Sequence, residues 1–152
     1  MKKIIVLITV SMFYLAGFAD SPASWISSKE GRMNVEKITI GVNNARVVLE
    51  TGEQVVIPIE SLDSYSSNGR IYEKEMVYKN GKPTGKSTYM ELLNSKNGFS
   101  LFRNAEYDYE ATEPLNAVDR FYVYKGKELY LALDEKSLPS VFNFFGLKWS
   151  YR

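Results

Sequence analysis

Phe121-Tyr122-Val123-Tyr124-Lys125-Gly126-Lys127-Glu128-Leu129-Tyr130-Leu131-Ala132-Leu133 alternates with period two on both sides of a glycine. Successive side chains of a strand point to opposite faces, so Phe121 and Val123 share one face and Tyr122 and Tyr124 the other. Leu129, Leu131 and Leu133 are likewise separated from Tyr130 and Ala132. Two such runs about a Lys-Gly turn read as an antiparallel hairpin that begins near Asp119. Cross-strand partners lie on one face, so gathering the aliphatic residues requires an odd loop. A three-residue connection, Lys125-Gly126-Lys127, pairs Val123 with Leu129, Phe121 with Leu131 and Tyr122 with Tyr130. A two-residue loop would set Val123 against Glu128, so the odd loop is expected.

Working toward the N-terminus, short β-branched and aromatic runs alternate with turn clusters: Asn43-Asn44, Thr51-Gly52-Glu53, Ser67-Asn68-Gly69, Asn80-Gly81 and Asn97-Gly98. Their spacing of about ten residues favours consecutive antiparallel strands over alternating strands and helices. Ile38, Ile40 and Val42 share one face of a first strand. Val47-Val48-Leu49 and Val55-Val56-Ile57 are continuous apolar runs, expected to be covered on both sides. Pro58 cannot donate to a ladder and marks a strand end, an edge or a bulge. Between Arg70 and Tyr78, the residues Tyr72, Met76 and Tyr78 have the parity opposite to Glu73 and Glu75. Met90 and Leu92 share a face within Thr88 to Leu93.

Toward the C-terminus, Leu138, Val141, Phe142 and Phe145 follow helical spacing, with Ser137 placed to cap, Pro139 in the first turn and Gly146 to terminate. So short a helix must dock on the sheet to persist. Leu147 to Tyr151 is expected to return as a strand. The fold class that follows is all-β: an antiparallel meander closing into a barrel or strongly bent sheet, with one short C-terminal helix.

At the other end, Lys2 and Lys3 precede an apolar run from Ile4 to Leu15, and Gly17-Phe18-Ala19 supplies the small residues of a cleavage site. This is the layout of a secretory signal peptide over residues 1–19, and it points to a periplasmic or secreted product. The run is too short for a spanning helix, which needs about 20 apolar residues, and no later segment is long or apolar enough. No membrane span is expected after cleavage. Residues 20–32 are small and polar around Trp25 and read as a loosely held lead-in, leaving residues 33–152 as a single β domain.

The 152-residue chain has no cysteine and no histidine. An exported chain without cysteine must be stabilised by packing and backbone hydrogen bonds alone. Imidazole-based triads, the commonest zinc and copper sites and thiolate chemistry are all excluded. Lys and Arg number 19 against 18 Asp and Glu, a balance with no basic block to read as a nucleic-acid or anionic-lipid footprint. No cofactor motif is present. Gly81-Lys82-Pro83-Thr84-Gly85-Lys86-Ser87 ends like a phosphate loop, but position 80 is Asn80 where that motif needs glycine, and the following residues read as a strand.

Carboxylates remain as a route to acid and base chemistry. Glu73 and Glu75 share a strand face, as do Glu106 and Asp108 if extended, and neighbouring acids of this kind are expected to be solvated. A glycosidase would need two acids facing each other about 5 to 9.5 Å apart. Asp63 and Asp134-Glu135 suit turn and helix-start positions. Glu106, Asp108, Glu110 and Glu113 form an acidic stretch without a calcium-loop pattern, inside Ala105 to Ala117, the longest irregular connection. Tyrosine is abundant at 11 residues, one of them Tyr14 of the leader. Tyr122, Tyr124 and Tyr130, if their face is open, offer an aromatic platform for a glycan or an extended peptide.

The order Leu49-Glu50-Thr51-Gly52-Glu53, Ile59-Glu60-Ser61-Leu62-Asp63-Ser64-Tyr65, Asn68-Gly69-Arg70-Ile71-Tyr72, Tyr89-Met90-Glu91-Leu92-Leu93, Phe99-Ser100-Leu101-Phe102 and Phe121-Tyr122-Val123-Tyr124-Lys125-Gly126 resembles small secreted proteins of unknown function from Bacteroidetes-type bacteria. The resemblance spans about residues 35–133 and implies β architecture and export. The function expected is a non-enzymatic binding or envelope-associated module whose partner is a glycan, a peptide or an envelope protein. The alternatives are a small carboxylate-dependent glycan hydrolase and an inhibitor of a secreted enzyme.

Overall fold

Three Asn-Gly pairs set the meander. Asn68-Gly69, Asn80-Gly81 and Asn97-Gly98 each place both residues in the left-handed region, with φ of 53° and 74°, 52° and 73°, and 54° and 79°. Tight hairpins with the strands' own twist need this geometry, and Asn and Gly adopt it at least cost. The structure is a computed structural model that describes residues 23–107 and 117–150. Among them the strands are β1 (Ser24–Ser28), β2 (Gly31–Val35), β3 (Lys37–Ile40), β4 (Asn44–Val48), β5 (Gln54–Pro58), β6 (Leu62–Ser67), β7 (Arg70–Lys79), β8 (Lys82–Lys96), β9 (Phe99–Tyr107), β10 (Ala117–Lys125) and β11 (Glu128–Ala132). A 3-10 turn (Ile59–Ser61) precedes β6, and one helix, α1 (Leu138–Phe144), follows β11.

The strands form an eight-stranded sheet, β11-β10-β9-β8-β7-β6-β1-β2, and a three-stranded sheet, β3-β4-β5. The fold is thus antiparallel β with one short C-terminal helix, as the sequence predicts. The terminal strands β11 and β2 do not pair with each other, so among the described residues the ladder is not a closed ring. Residues 1–19, with the expected signal peptide, lie outside the described residues.

Several local expectations need correction. Ser24–Ser28 is a strand paired on both sides, with β2 and β6, rather than part of a loose lead-in. Its one deeply buried apolar residue, Ile26, is too weak a pattern to read. The three-stranded sheet buries one face only: Ala45 and Val47 are buried while Arg46 and Val56 are exposed. Leu147 and the residues after it, as far as described, form no strand, and Leu147 and Trp149 pack beside α1 instead.

The β10–β11 hairpin turns on two residues, since Lys125 pairs with Glu128 and Gly126 has φ 61°. A bulge then restores the parity that an odd loop would have given. Tyr124 pairs with Leu129 and Val123 with Leu131, leaving Tyr130 as the extra residue.

Three apolar clusters hold the fold. Ile38, Ala45 and Val47 of the three-stranded sheet meet Ile26, Val35, Leu62 and Tyr65. Leu138, Phe142 and Phe145 dock on Leu101, Phe121 and Val123. Met90, Phe102 and Tyr124 occupy the opposite face of β8 to β10. Ser137 stands at the N-cap position of α1 as expected but makes no side-chain cap hydrogen bond, because its backbone N–H and hydroxyl both donate back to Asp134 Oδ1 at 2.9 and 2.6 Å. That bonding pulls the Asp134 carboxyl below its ordinary value.

Candidate functional site

One cross-strand row builds the site. Ile26, Tyr65, Tyr72, Glu91, Arg103 and Phe121 are successive direct partners from β1 through β6, β7, β8 and β9 to β10, so all six side chains lie on one face. The three-stranded sheet covers the Ile26–Tyr65 end and α1 covers the Phe121 end. Between them Tyr72, Glu91 and Arg103 floor a hollow. It consists of two cavities of about 450 and 570 Å³ that share Arg103 and Asp119.

Arg103 organises the floor. Its Nε and Nη2 donate to Glu91 Oε2 at 3.1 and 2.5 Å, and its Nη1 lies 3.7 Å from Asp119 Oδ2. Arg70 Nε approaches the other Glu91 oxygen at 3.8 Å. Glu91 is 14% exposed and Asp119 49%, so the acid nearer the α1 side of the pair is the reachable one. The Glu91 hydrogen bond raises the pKa of the guanidinium still further, fixing it as a cation.

Aromatic rings wall the hollow. Tyr65 and Tyr72 stack with centroids 4.8 Å apart, and the Tyr89 hydroxyl shares its hydrogen between Ile59 O and Leu62 O, each at 2.6 Å. Burial, then the charge of Asp63, pushes the Tyr89 hydroxyl up to about 12, so it acts as a fixed wall and not as a proton donor at neutral pH. On the far side Trp149 packs edge-on against Phe121 and Phe142 at 5.5 and 4.9 Å.

The tyrosines proposed as a platform do not share an open face. Tyr124 is 1% exposed, its hydroxyl donates to Met76 O at 2.6 Å, and its ring meets Phe102 edge-on. Tyr122 is half-buried against the same cluster. Tyr130 is 65% exposed, but the bulge sets it beside α1, edge-on to Phe99 at 5.0 Å.

Glu75 also departs from expectation. It is 1% exposed, with Lys127 Nζ 2.5 Å from Oε1, and burial raises its pKa against the lowering effect of that lysine. Glu73 Oε2 lies 4.0 Å from the same amine. Asp108, Glu110, Glu113 and the Glu106 side chain lie outside the described residues, as does most of the Ala105 to Ala117 connection. No cluster of three or more metal-ligating side chains occurs among the described residues. No described helix is long and apolar enough to cross a membrane.

Sequence reading passed over Glu91 and Arg103 because neither belongs to a motif. The available signal was a charge at the parity of apolar neighbours: Glu91 between Tyr89 and Leu93, Arg103 two residues after Leu101. No family model, curated protein or solved structure matches the chain.

Proposed function

We propose that the chain is an exported, non-enzymatic binding module whose ligand seat is the hollow floored by Tyr72, Glu91, Arg103 and Asp119. The observation that carries this reading is Arg103 standing between the two carboxylates and bonded to one of them. Glycoside hydrolysis needs two acids facing an open gap, one of them kept protonated. Here the Arg103 guanidinium fills the gap and pairs with both. What the floor offers instead is fixed acceptors and donors beside aromatic rings, a combination suited to the hydroxyls and the apolar ring face of a sugar. A glycan is therefore the ligand class proposed.

The leader-like residues 1–19 and the resemblance to small secreted bacterial proteins support the export half of the reading. A strongly bent eight-stranded sheet belongs to it too. Tyr124 on β10 bonds to Met76 on β7 although β9 and β8 lie between, and strands about 4.8 Å apart in a flat sheet would hold them about 14 Å apart. The bend turns Met90, Phe102 and Tyr124 inward and leaves the hollow on the outer face. The hollow lies at the base of the Ala105 to Ala117 connection, since Ala105 and Asp119 are cross-strand partners and both line it.

A glycan-array screen followed by calorimetry on the best binder tests the proposal. Asp119→Ala removes an exposed acceptor and should weaken binding about tenfold to 150-fold, the worth of a hydrogen bond to a charged group. Tyr122→Ala should leave affinity unchanged. Full affinity in Asp119→Ala and Arg103→Lys, or release of reducing sugar on incubation, would sink the reading.

A further inference from the structure

We propose, building on the glycan reading, that the hollow seats a neutral oligosaccharide of two or more units, laid across the Arg103–Asp119 pair with one sugar on either side.

The division of the hollow sets the length. Its cavities of about 450 and 570 Å³ are each large enough to take a small ligand, and the described residues lining both are Arg103 and Asp119. Along the floor, Tyr72, Glu91, Arg103 and Phe121 are direct partners on four neighbouring strands. At about 4.8 Å per strand the row runs about 14 Å, longer than one pyranose ring. Each side has an aromatic wall for the apolar face of a sugar: Tyr72 and Tyr89 on one, Phe121 and Trp149 on the other.

The junction supplies the grip. Arg103 Nη1 and Asp119 Oδ2 stand 3.7 Å apart, beyond a direct hydrogen bond. A sugar hydroxyl set against them accepts from the guanidinium and donates to the carboxylate. Asp119 is 49% exposed and open to such a bond, whereas Glu91 Oε2 already takes two bonds from Arg103.

Charge sets the class. In the cavity nearer β7, Arg70 and Arg103 accompany Glu91 and Asp119; in the cavity beside α1, Arg103 and Lys148 accompany Asp119 and Glu135. Each lining is balanced. A ligand with net charge of either sign would lose hydration there without meeting an excess of opposite charge, and a neutral chain of hydroxyls incurs no such cost. Uronates, sulfated sugars and amino sugars are therefore disfavoured.

The test is an array of neutral glucose, galactose, mannose and xylose chains, one to four units long, with their uronate and amino-sugar counterparts, followed by calorimetry. The best neutral dimer should bind about tenfold more tightly than its monomer, the worth of one or two added hydrogen bonds. It should also bind about fivefold better than its charged counterparts. Occupation of the α1 side should change Trp149 emission in Trp25→Phe. Glu135 is exposed, so Glu135→Lys should fold normally and, by making that cavity positive, bind the uronate counterpart about fivefold better than the native protein does. A monomer that binds as tightly as the longer chains, a charged chain preferred by the native protein, unchanged Trp149 emission, or unchanged charge preference in Glu135→Lys would overturn the proposal and leave the glycan reading standing. Failure to bind any glycan would overturn both.

Discussion

A buried carboxylate gives the sharpest expectation for a single residue. Burial holds the Glu75 pKa above its ordinary 4.5, with Lys127 offsetting part of the effect. The folded state therefore binds the proton more tightly than the unfolded chain does. Stability from this group is fully present below the unfolded value and is lost as pH rises through the raised folded value. The melting temperature of the native protein minus that of Glu75→Gln should fall as pH rises from the ordinary 4.5 through the raised folded value; a flat or rising difference would refute the assignment. Lys127→Ala leaves an uncompensated buried acid and should cost about 1–3 kcal/mol at neutral pH, with recovery in acid. None of this was legible in the sequence. Glu73 and Glu75 at alternate positions read as a solvated face, and what buries Glu75 comes from far along the chain. Lys127 arrives from the β10–β11 turn, and Tyr78 joins the same side through a bulge after Met76.

Among the elements, turn chemistry was readable and register only partly so. Asn-Gly pairs announce hairpins because few other residues take two left-handed conformations in succession. The β10–β11 hairpin shows the limit of such reasoning: Val123 does meet an aliphatic partner, but it is Leu131 across a bulge and not Leu129 across a longer loop, and Leu129 falls opposite Tyr124 on the other face. Deleting Tyr130 should therefore join Leu129 to Leu131 without disturbing either pair, Tyr124 with Leu129 or Val123 with Leu131. The expected cost is under about 1 kcal/mol, with cross-strand amide contacts retained at both pairs. Gly126→Val, by contrast, forces a β-branched residue to φ 61° and should cost about 1–2 kcal/mol in a urea melt. If the deletion proved the more damaging of the two, the bulge would be a required twist in the strand and not a parity correction.

At the scale of the whole molecule, the all-β class was legible because turns and period-two runs are local signals. The hollow was not, because it arises where six strands bring distant residues into one row, and no spacing in the chain records that Tyr72, Glu91 and Arg103 are neighbours. The same long-range geometry makes β8 the common member of all three clusters. Tyr89 packs on the first, Leu93 on the second, and Met90 and Leu92 on the third. A strand shared in this way should couple the clusters into one cooperative unit, and the two tryptophans stand where that can be measured. Trp25 lies on β1 under the Arg32 guanidinium, 3.9 Å away, while Trp149 lies against Phe121 and Phe142 beside α1. Emission of Trp149→Phe reports the first end and emission of Trp25→Phe the second. Introducing Met90→Ala into each, at a side chain only 2% exposed, should lower stability by about 2–5 kcal/mol in both. The two urea midpoints should fall together and stay coincident. Midpoints that separate, with the Trp149 signal lost first, would mean that the helix-bearing end opens on its own and that β8 does not bind the clusters into one unit.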